Sequence, residues 1–365
     1  MRILALADDL TGALETGAQL AAGGVPCVVL AGPPFEAQSA AAVFNIETRH
    51  VSAAEAEHRV LEAVAGHSAA HVFLKTDSTL RGRIRESLHA LKRRFPERDL
   101  VYVPAYPAMG RTVRGGVLYV HGVPLAGTAF ARDPLNPVRD SSAAAIGEGL
   151  AEVRDGETEA DLAAAAESLR GRNAIAAGTA GFVGHWMRTL PVARSRVTPW
   201  RNVAGDTLVV VGSRHPVARA QAASLQGHPG CRVHLLPTGL AGDPLDVAAR
   251  CGQDVRRMLD ERPAGTLIVV GGDTAAAILK ALGCRVIRPN GELLPGVPVS
   301  RMEAGDFNPA TPDGNAWFNP AAPEAEVAPR PGGAASPLRN GLTLITKAGG
   351  FGDENTLLRI MEKLK

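Results

Sequence analysis

A chain of 365 residues is longer than one ordinary hydrophobic core and fits two domains. With 45% hydrophobic and 21% charged residues it is globular, while 4% aromatics and a net charge of +2 argue against a base-stacking nucleic-acid surface and against a membrane partner. The four cysteines (Cys27, Cys231, Cys251 and Cys284) are scattered without a CxxC pair, which disfavours a disulfide framework or zinc site and makes a reducing, cytoplasmic setting the expectation.

The first apolar run stops at Asp8-Asp9, too short for a signal peptide or a membrane span. Strands are expected at 3–7, 27–30, 42–46, 72–75, 100–103 and 174–177. Helices are expected at 12–22, 54–65, 84–95 and 160–169. Strands alternating with helices imply βαβ units and a mainly parallel sheet with helices on both faces. The pattern restarts after 194–206, where Pro199, Trp200, Asn202 and Gly205 suggest a linker. Further strands are expected at 208–211, 232–236, 267–270 and 342–346, and helices at 216–225, 246–260, 274–282 and 353–364. The implied domains are 1–198 and 199–365. The segment 308–339, rich in Pro, Ala and Gly, reads as a surface loop, with a lid as the alternative.

Ligands of open parallel sheets bind at the carboxyl ends of strands, so the residues after each strand carry the functional argument. Strand 3–7 is followed by Asp8-Asp9-Leu10-Thr11-Gly12-Ala13; helix capping needs only one of those carboxylates. Strand 72–75 is followed by Thr76-Asp77-Ser78-Thr79-Leu80-Arg81-Gly82, so Lys75, Asp77, Ser78 and Arg81 cluster. That set is either a solvated loop with an ion pair or a grip for a carboxylate or phosphate, Arg bidentate and Lys a point charge. The stretch 104–116 is glycine-rich, basic and free of acids, and suits either a substrate loop or a hairpin with a strand at 118–120.

The second half has three glycine turns after strands: Gly212-Ser213, Gly271-Gly272-Asp273-Thr274 and Lys347-Ala348-Gly349-Gly350-Phe351-Gly352. The last two are expected to open into helices, where bare amides and the helix dipole favour an anion. Together the three point to a phosphate-binding surface. No G-x-x-x-x-G-K-[ST] occurs, which excludes the P-loop class, and neither HExxH nor GxSxG is found.

Taken in order, these strings resemble the four-carbon acid sugar kinases: 7–13, 75–82, 104–111 with its glycine tail, Gly212-Ser213, Gly271–Thr274 and Lys347–Gly352. One departure is His215, where the family often has serine. The resemblance implies an α/β fold of two domains, each with a mainly parallel sheet flanked by helices, and an active site in the cleft between them. It implies an N-terminal domain that binds the sugar acid and a C-terminal domain that binds ATP with Mg²⁺. The reaction implied is phosphorylation of the terminal hydroxyl of a D-threonate-, D-erythronate- or 3-oxo-tetronate-like acid. On this resemblance Asp8 or Asp9 holds or deprotonates the acceptor hydroxyl. Lys75, Asp77, Ser78, Arg81 and Arg111 line the acid, and Ser213, Gly271, Gly272, Asp273, Thr274, Lys347, Gly349 and Gly350 line the nucleotide. Neither nucleic acid nor membrane is an expected partner, and a homo-oligomer is allowed. A catalytically silent nucleotide-binding regulator would not need the acid and Lys/Arg clusters. A sugar-acid isomerase or aldolase could use Lys75 but would not need three glycine turns.

Overall fold

The computed structural model describes residues 2–37, 39–133, 135–197, 200, 205–237, 243–303 and 341–364. The expected loop at 308–339 lies outside them, as do Pro199 and Asn202 of the expected linker. Internal contacts divide the chain into two units, Met1–Val29 with Phe35–Val197, and Leu30–Pro34 with Thr198–Lys365. Among the described residues no helix is long and apolar enough to cross a membrane.

The first unit runs β1 (Ile3–Ala7), α1 (Leu10–Ala22), β2 (Cys27–Leu30), β3 (Ala41–Asn45), α2 (Ala53–Val64), β4 (His71–Lys75), α3 (Ile84–Arg94) and β5 (Asp99–Val103). It continues through β6 (Arg111–Arg114), β7 (Val117–Val120), β8 (Val123–Pro124), α4 (Ala143–Gly147), β9 (Glu152–Val153), α5 (Glu159–Glu167), β10 (Ala174–Gly178) and α6 (Ala180–Thr189). Its main sheet has the order β2-β3-β1-β4-β10-β5-β9. β1 and β3 are buried along their whole length, as strands covered on both faces must be.

Register positions the site. Ala7 lies opposite Asn45 and Lys75, and Gly178 opposite Lys75 and Val103, in parallel pairs. The carboxyl ends of β3, β1, β4, β10 and β5 are therefore flush, and the loops that leave them share one edge. The end of the stretch 104–116 forms a hairpin: β6 and β7 pair antiparallel across Gly115-Gly116, both at positive φ (58° and 73°), the backbone that a two-residue hairpin turn requires.

The second unit runs β11 (Thr207–Val211), α7 (Pro216–Ser224), β12 (Cys231–Leu235), α8 (Pro244–Glu261), β13 (Thr266–Val270) and α9 (Gly272–Leu282). Then come β14 (Val286–Leu294), β15 (Val297–Met302), β16 (Leu342–Lys347) and α10 (Thr356–Lys363). Its strand order is β12-β11-β13-β16-β15-β14. The first four are parallel, with Val211, Val270 and Lys347 in line at their carboxyl ends. Val209, Val211, Ile268, Val270 and Ile345 form the core with Ala218 and Ala222 of α7 and with Leu357 and Ile360 of α10.

Several elements were not expected, among them α4, α6 and β9, and two further features differ from the sequence expectation. The β14–β15 hairpin was not among the expected elements; β14 contains Pro289 and Gly291, with a register shift between them. Helix α10 starts at Thr356 and not near Asp353, because Asp353 makes a capping turn: its Oδ1 accepts from Asn355 N at 3.0 Å, and its own N–H donates to Thr356 Oγ1 at 3.0 Å.

Candidate active site

The edge of the first sheet gathers three carboxylates around one arginine. Asp9 is the N-cap of α1: its Oδ1 accepts from Gly12 N at 2.9 Å and its Oδ2 from Arg49 Nη1 at 2.7 Å. Asp8, 6% exposed, accepts at Oδ2 from both Arg49 Nε (2.8 Å) and Nη2 (2.7 Å). The other oxygen, Asp8 Oδ1, is buried and has no hydrogen-bond partner. Arg49 Nη2 also lies 3.4 Å from Asp77 Oδ1.

Asp77 is more fully held. Arg81 grips it bidentately, Nε to Oδ2 at 3.0 Å and Nη2 to Oδ1 at 2.9 Å. Thr79 donates its N–H and its hydroxyl to Asp77 Oδ2. Arg81 reaches on to Asp133 Oδ2 at 3.1 Å and lies over the Phe130 ring. Leu80, at φ 56°, makes the bend that brings Arg81 back onto Asp77; this is unfavourable backbone for a branched side chain and is found where a site over-determines it.

These environments push the two acids apart. Burial raises the Asp8 carboxyl, reinforced by Asp9 and Asp77, and Arg49 and Lys75 only partly oppose it. Burial also works to raise Asp77, but Arg81, Arg49 and the hydrogen bonds from Arg81 and Thr79 outweigh it and hold that carboxyl well below the usual range. Asp77 is thus held as an anion, while Asp8 takes up a proton more readily than an ordinary aspartate.

Lys75 ends β4 with its side chain buried. A Cβ on Gly12 would stand 2.6 Å from Lys75 Nζ, so the glycine in Asp8-Asp9-Leu10-Thr11-Gly12 makes room for the ammonium. Ser78 is half-buried on the turn between Asp77 and Thr79. Arg111 starts β6, donates from Nη1 to Met109 O, and keeps a buried Nε without an acceptor. Burial pulls its guanidinium down, with Asp77, Arg81 and Glu15 near enough to act on it. Asp8, Asp9, Lys75, Asp77, Arg81 and Arg111 therefore converge. Arg49 was missed, although a signal existed: Glu47-Thr48-Arg49 follow a strand end as directly as Asp8-Asp9 do.

In the second unit the glycine turns converge at the flush ends of β11, β13 and β16. The N–H groups of Gly212 and Ser213 donate to Val270 O, both at 3.2 Å, and that of Gly271 to Lys347 O at 3.0 Å. Gly271 has φ 121°, and a Cβ on Gly212 would collide with Thr274 Oγ1. A Cβ on Gly349 would collide with Ser213 Oγ, and one on Gly350 would stand 3.2 Å from His215 Nε2. Helix α9 begins at Gly272 with no side-chain cap hydrogen bond, so its N-terminus, the positive end of the helix dipole, lies at this edge. Gly349 and Gly350 are not at a helix start, since α10 opens only at Thr356, and neither has positive φ; close packing against Ser213 explains Gly349. Lys347 points into its own loop, Nζ to Ala348 O and Phe351 O at 2.7 Å each, and burial lowers it to about 8.

Comparison with known proteins agrees with this division. Residues 3–148 match the family described as a sugar-binding N-terminal domain, and residues 238–357 one described as a nucleotide-binding C-terminal domain. A D-threonate kinase from Bordetella bronchiseptica is 29% identical over 99% of this chain and 96% of its own. A D-erythronate kinase from Heliobacterium modesticaldum is 37% identical over 40% of this chain and 35% of its own. The crystal structure of a Haemophilus influenzae protein of the DUF1537 family, 17% identical, superposes with a TM-score of 0.70 over 99% of this chain and 100% of its own, and so shares the fold. With both domain families matched in order and a threonate kinase aligned end to end, the chain belongs to the four-carbon acid sugar kinase family.

Proposed function

We propose that the chain transfers the γ-phosphoryl group of ATP to the terminal hydroxyl of a four-carbon sugar acid of the D-threonate, D-erythronate or 3-oxo-tetronate type. The observation that carries this reading is Asp8: a buried carboxylate, raised in proton affinity, with one oxygen free and the Lys75 ammonium near enough to act on it. Asp8, not Asp9, is the base, because both oxygens of Asp9 are already engaged by Gly12 N and Arg49.

Lys75 and Arg111 supply positive charge for the substrate carboxylate, and Arg81 adds the donors not directed at Asp77 and Asp133. Ser78, on the same turn, supplies a hydroxyl for the sugar. In the chemical step the acceptor O–H bond breaks and its proton goes to Asp8 Oδ1. The oxygen forms a bond to the γ-phosphorus, the bond from that phosphorus to the β–γ bridging oxygen breaks, and ADP leaves. Such a transfer depends mostly on positioning and charge stabilisation, so the fixed geometry around Asp8 matters as much as its basicity.

On the nucleotide side the α9 start at Gly271-Gly272-Asp273-Thr274 is the main phosphate cradle, with Ser213 and the Gly349-Gly350 loop beside it. Lys347 acts on this loop by tying Ala348 and Phe351 together. Mg²⁺ would arrive on the phosphates, keep several waters and neutralise developing charge. An isomerase or aldolase reading finds less support, since it leaves this phosphate-binding arrangement without a use. Phosphorus NMR of the product tests the proposal: a new phosphomonoester on the terminal carbon is expected, and an unphosphorylated rearranged acid would refute it.

A further inference from the structure

We infer that Arg49 is a positioning residue for the transfer: it anchors Asp8 through Oδ2 alone, so that Oδ1 faces the acceptor, and ties that aspartate to Asp9 and Asp77. The inference rests on the kinase reading above and extends it to a residue that no motif marks.

A purely structural buried ion pair satisfies every oxygen it can, because each unpaired one is costly. Asp9 and Asp77 follow that rule, with both oxygens of each engaged. Asp8 does not: two donors of Arg49 converge on Oδ2, and the buried Oδ1 is left bare. The asymmetry falls on the one aspartate that needs a free oxygen for chemistry.

Arg49 is itself delivered by a constrained turn. After β3, Glu47 adopts φ 47°, unusual for a non-glycine residue. Its carbonyl is held by Arg59 Nη1 of α2 at 2.9 Å and its carboxylate by Asn45 Nδ2 at 3.1 Å. The guanidinium side chain is only 11% exposed, so it is fixed by its surroundings and not a solvated clamp.

Charge explains why an arginine is needed. Asp9, Arg49, Lys75, Asp77 and the Tyr102 phenol face Asp8. Three carboxylates gathered around one point disfavour one another's ionised forms unless a cation meets all three. Arg49 does so with its planar fork; the single ammonium of a lysine there could not. Loss of the fork leaves Asp8 more easily protonated, so fewer molecules hold it ready as a base.

Steady-state kinetics of Arg49→Lys over a pH series, with ADP release as the readout, tests this. The expected result is a kcat lower by about a hundredfold, a KM for ATP within about twofold of wild type, and an acid limb moved to higher pH. Arg49→Ala should regain activity on adding guanidinium chloride but not the same ionic strength of sodium chloride. An Arg49→Lys enzyme with wild-type kcat and an unmoved limb would overturn the role, as would losses that follow melting temperature alone. Carbon-13 NMR of labelled aspartates supplies a readout without substrate: the Asp8 carboxyl should titrate at higher pH in Arg49→Lys. Wild-type protein that phosphorylates no sugar acid defeats the underlying reading, whereas an active wild type with an Asp8 titration unchanged in Arg49→Lys defeats this inference alone.

Discussion

Asp8 Oδ2 accepts two hydrogen bonds from Arg49, while Asp8 Oδ1, equally enclosed, accepts none. The neighbouring Asp9, one residue along the chain, has no such free oxygen. Asp8→Asn should therefore lower kcat by roughly 10²–10⁴ while the protein stays folded, the usual cost of losing a general base. Asp9→Ala should mainly weaken the start of α1, by about 1 kcal/mol, with a smaller loss of rate. Kinetics and melting curves of the pair check this. Equal catalytic losses at equal stability would mean the two acids share the role.

The two buried acids predict opposite responses to pH. The Asp77 carboxyl is lowered below its ordinary 3.8, so its stabilisation is complete above that value and is lost as pH falls through the folded one. The Asp8 carboxyl is raised, so its ionised form strains the native state, and that strain is relieved as pH falls through its folded value. Asp77→Asn should thus melt well below wild type at neutral pH, with the gap narrowing in acid. Asp8→Asn should melt at or above wild type at neutral pH. For the same reason kcat should rise with pH through an apparent pKa above the ordinary aspartate value, as Asp8 loses its proton.

Arg81 has two duties, and its removal should show both. Its bidentate hold on Asp77 and its bond to Asp133 are structural. Its remaining N–H groups are free to meet the sugar acid. Arg81→Ala should raise KM for the acid about ten- to hundredfold, since a charged hydrogen bond contributes ~1.5–3 kcal/mol. It should also lower stability, by up to roughly 3 kcal/mol, because Asp77 loses a partner. ATP binding should be near normal. Unchanged apparent affinity for the acid in a folded variant would remove Arg81 from the substrate site.

The glycines of the nucleotide side should separate by mechanism. Gly349→Ala must displace the Ser213 hydroxyl, and Gly271→Ala must hold φ 121°, a strain of about 1–3 kcal/mol. Both should weaken ATP binding, measured by calorimetry, with binding of the acid preserved. Gly350→Ala meets only the edge of the His215 ring and should be milder. Normal ATP binding by folded Gly271→Ala and Gly349→Ala would place the cradle elsewhere.

Lys347 sits at about 8 because it is buried. Its ammonium joins the carbonyls of Ala348 and Phe351, so loss of the proton, which removes the charge from both hydrogen bonds, loosens the loop that carries Gly349 and Gly350. KM for ATP should climb as pH rises through about 8, and Lys347→Met should abolish that dependence. Because the native lysine gives up its proton before the unfolded one does at 10.5, the second unit should gain stability over the same range.

Most of the parallel strands were legible because they are short apolar runs: 3–7 and 27–30 coincide with β1 and β2, and most other expected strands differ at the ends by a residue or so. Strand-end reasoning also placed Asp8, Asp9, Lys75, Asp77 and Arg81 together, since flush registers turn neighbouring loops into one surface. What escaped it was long-range or locally disguised. Arg49 meets Asp8 across 41 residues, and only the order β3-β1-β4 makes them neighbours. Strand β14, which was not expected, carries Pro289 and Gly291, residue types commoner in turns than in strands. The capping by Asp353 and Thr356 delayed α10 and moved Gly349-Gly350 off a helix start. Local propensity could not show that Asp8 and Asp77 differ in proton affinity, because that difference lies in how many donors each receives.

The most direct measurement is ADP release by the purified protein with Mg-ATP, coupled to a spectroscopic readout, across the isomers of threonate, erythronate and 3-oxo-tetronate. Release should be near background with ATP alone and rise steeply with at least one of these acids, and Asp8→Asn should lose that rise. No acid-dependent release from a folded wild-type protein with any of them, or a rise that Asp8→Asn retains in full, would contradict the proposed chemistry.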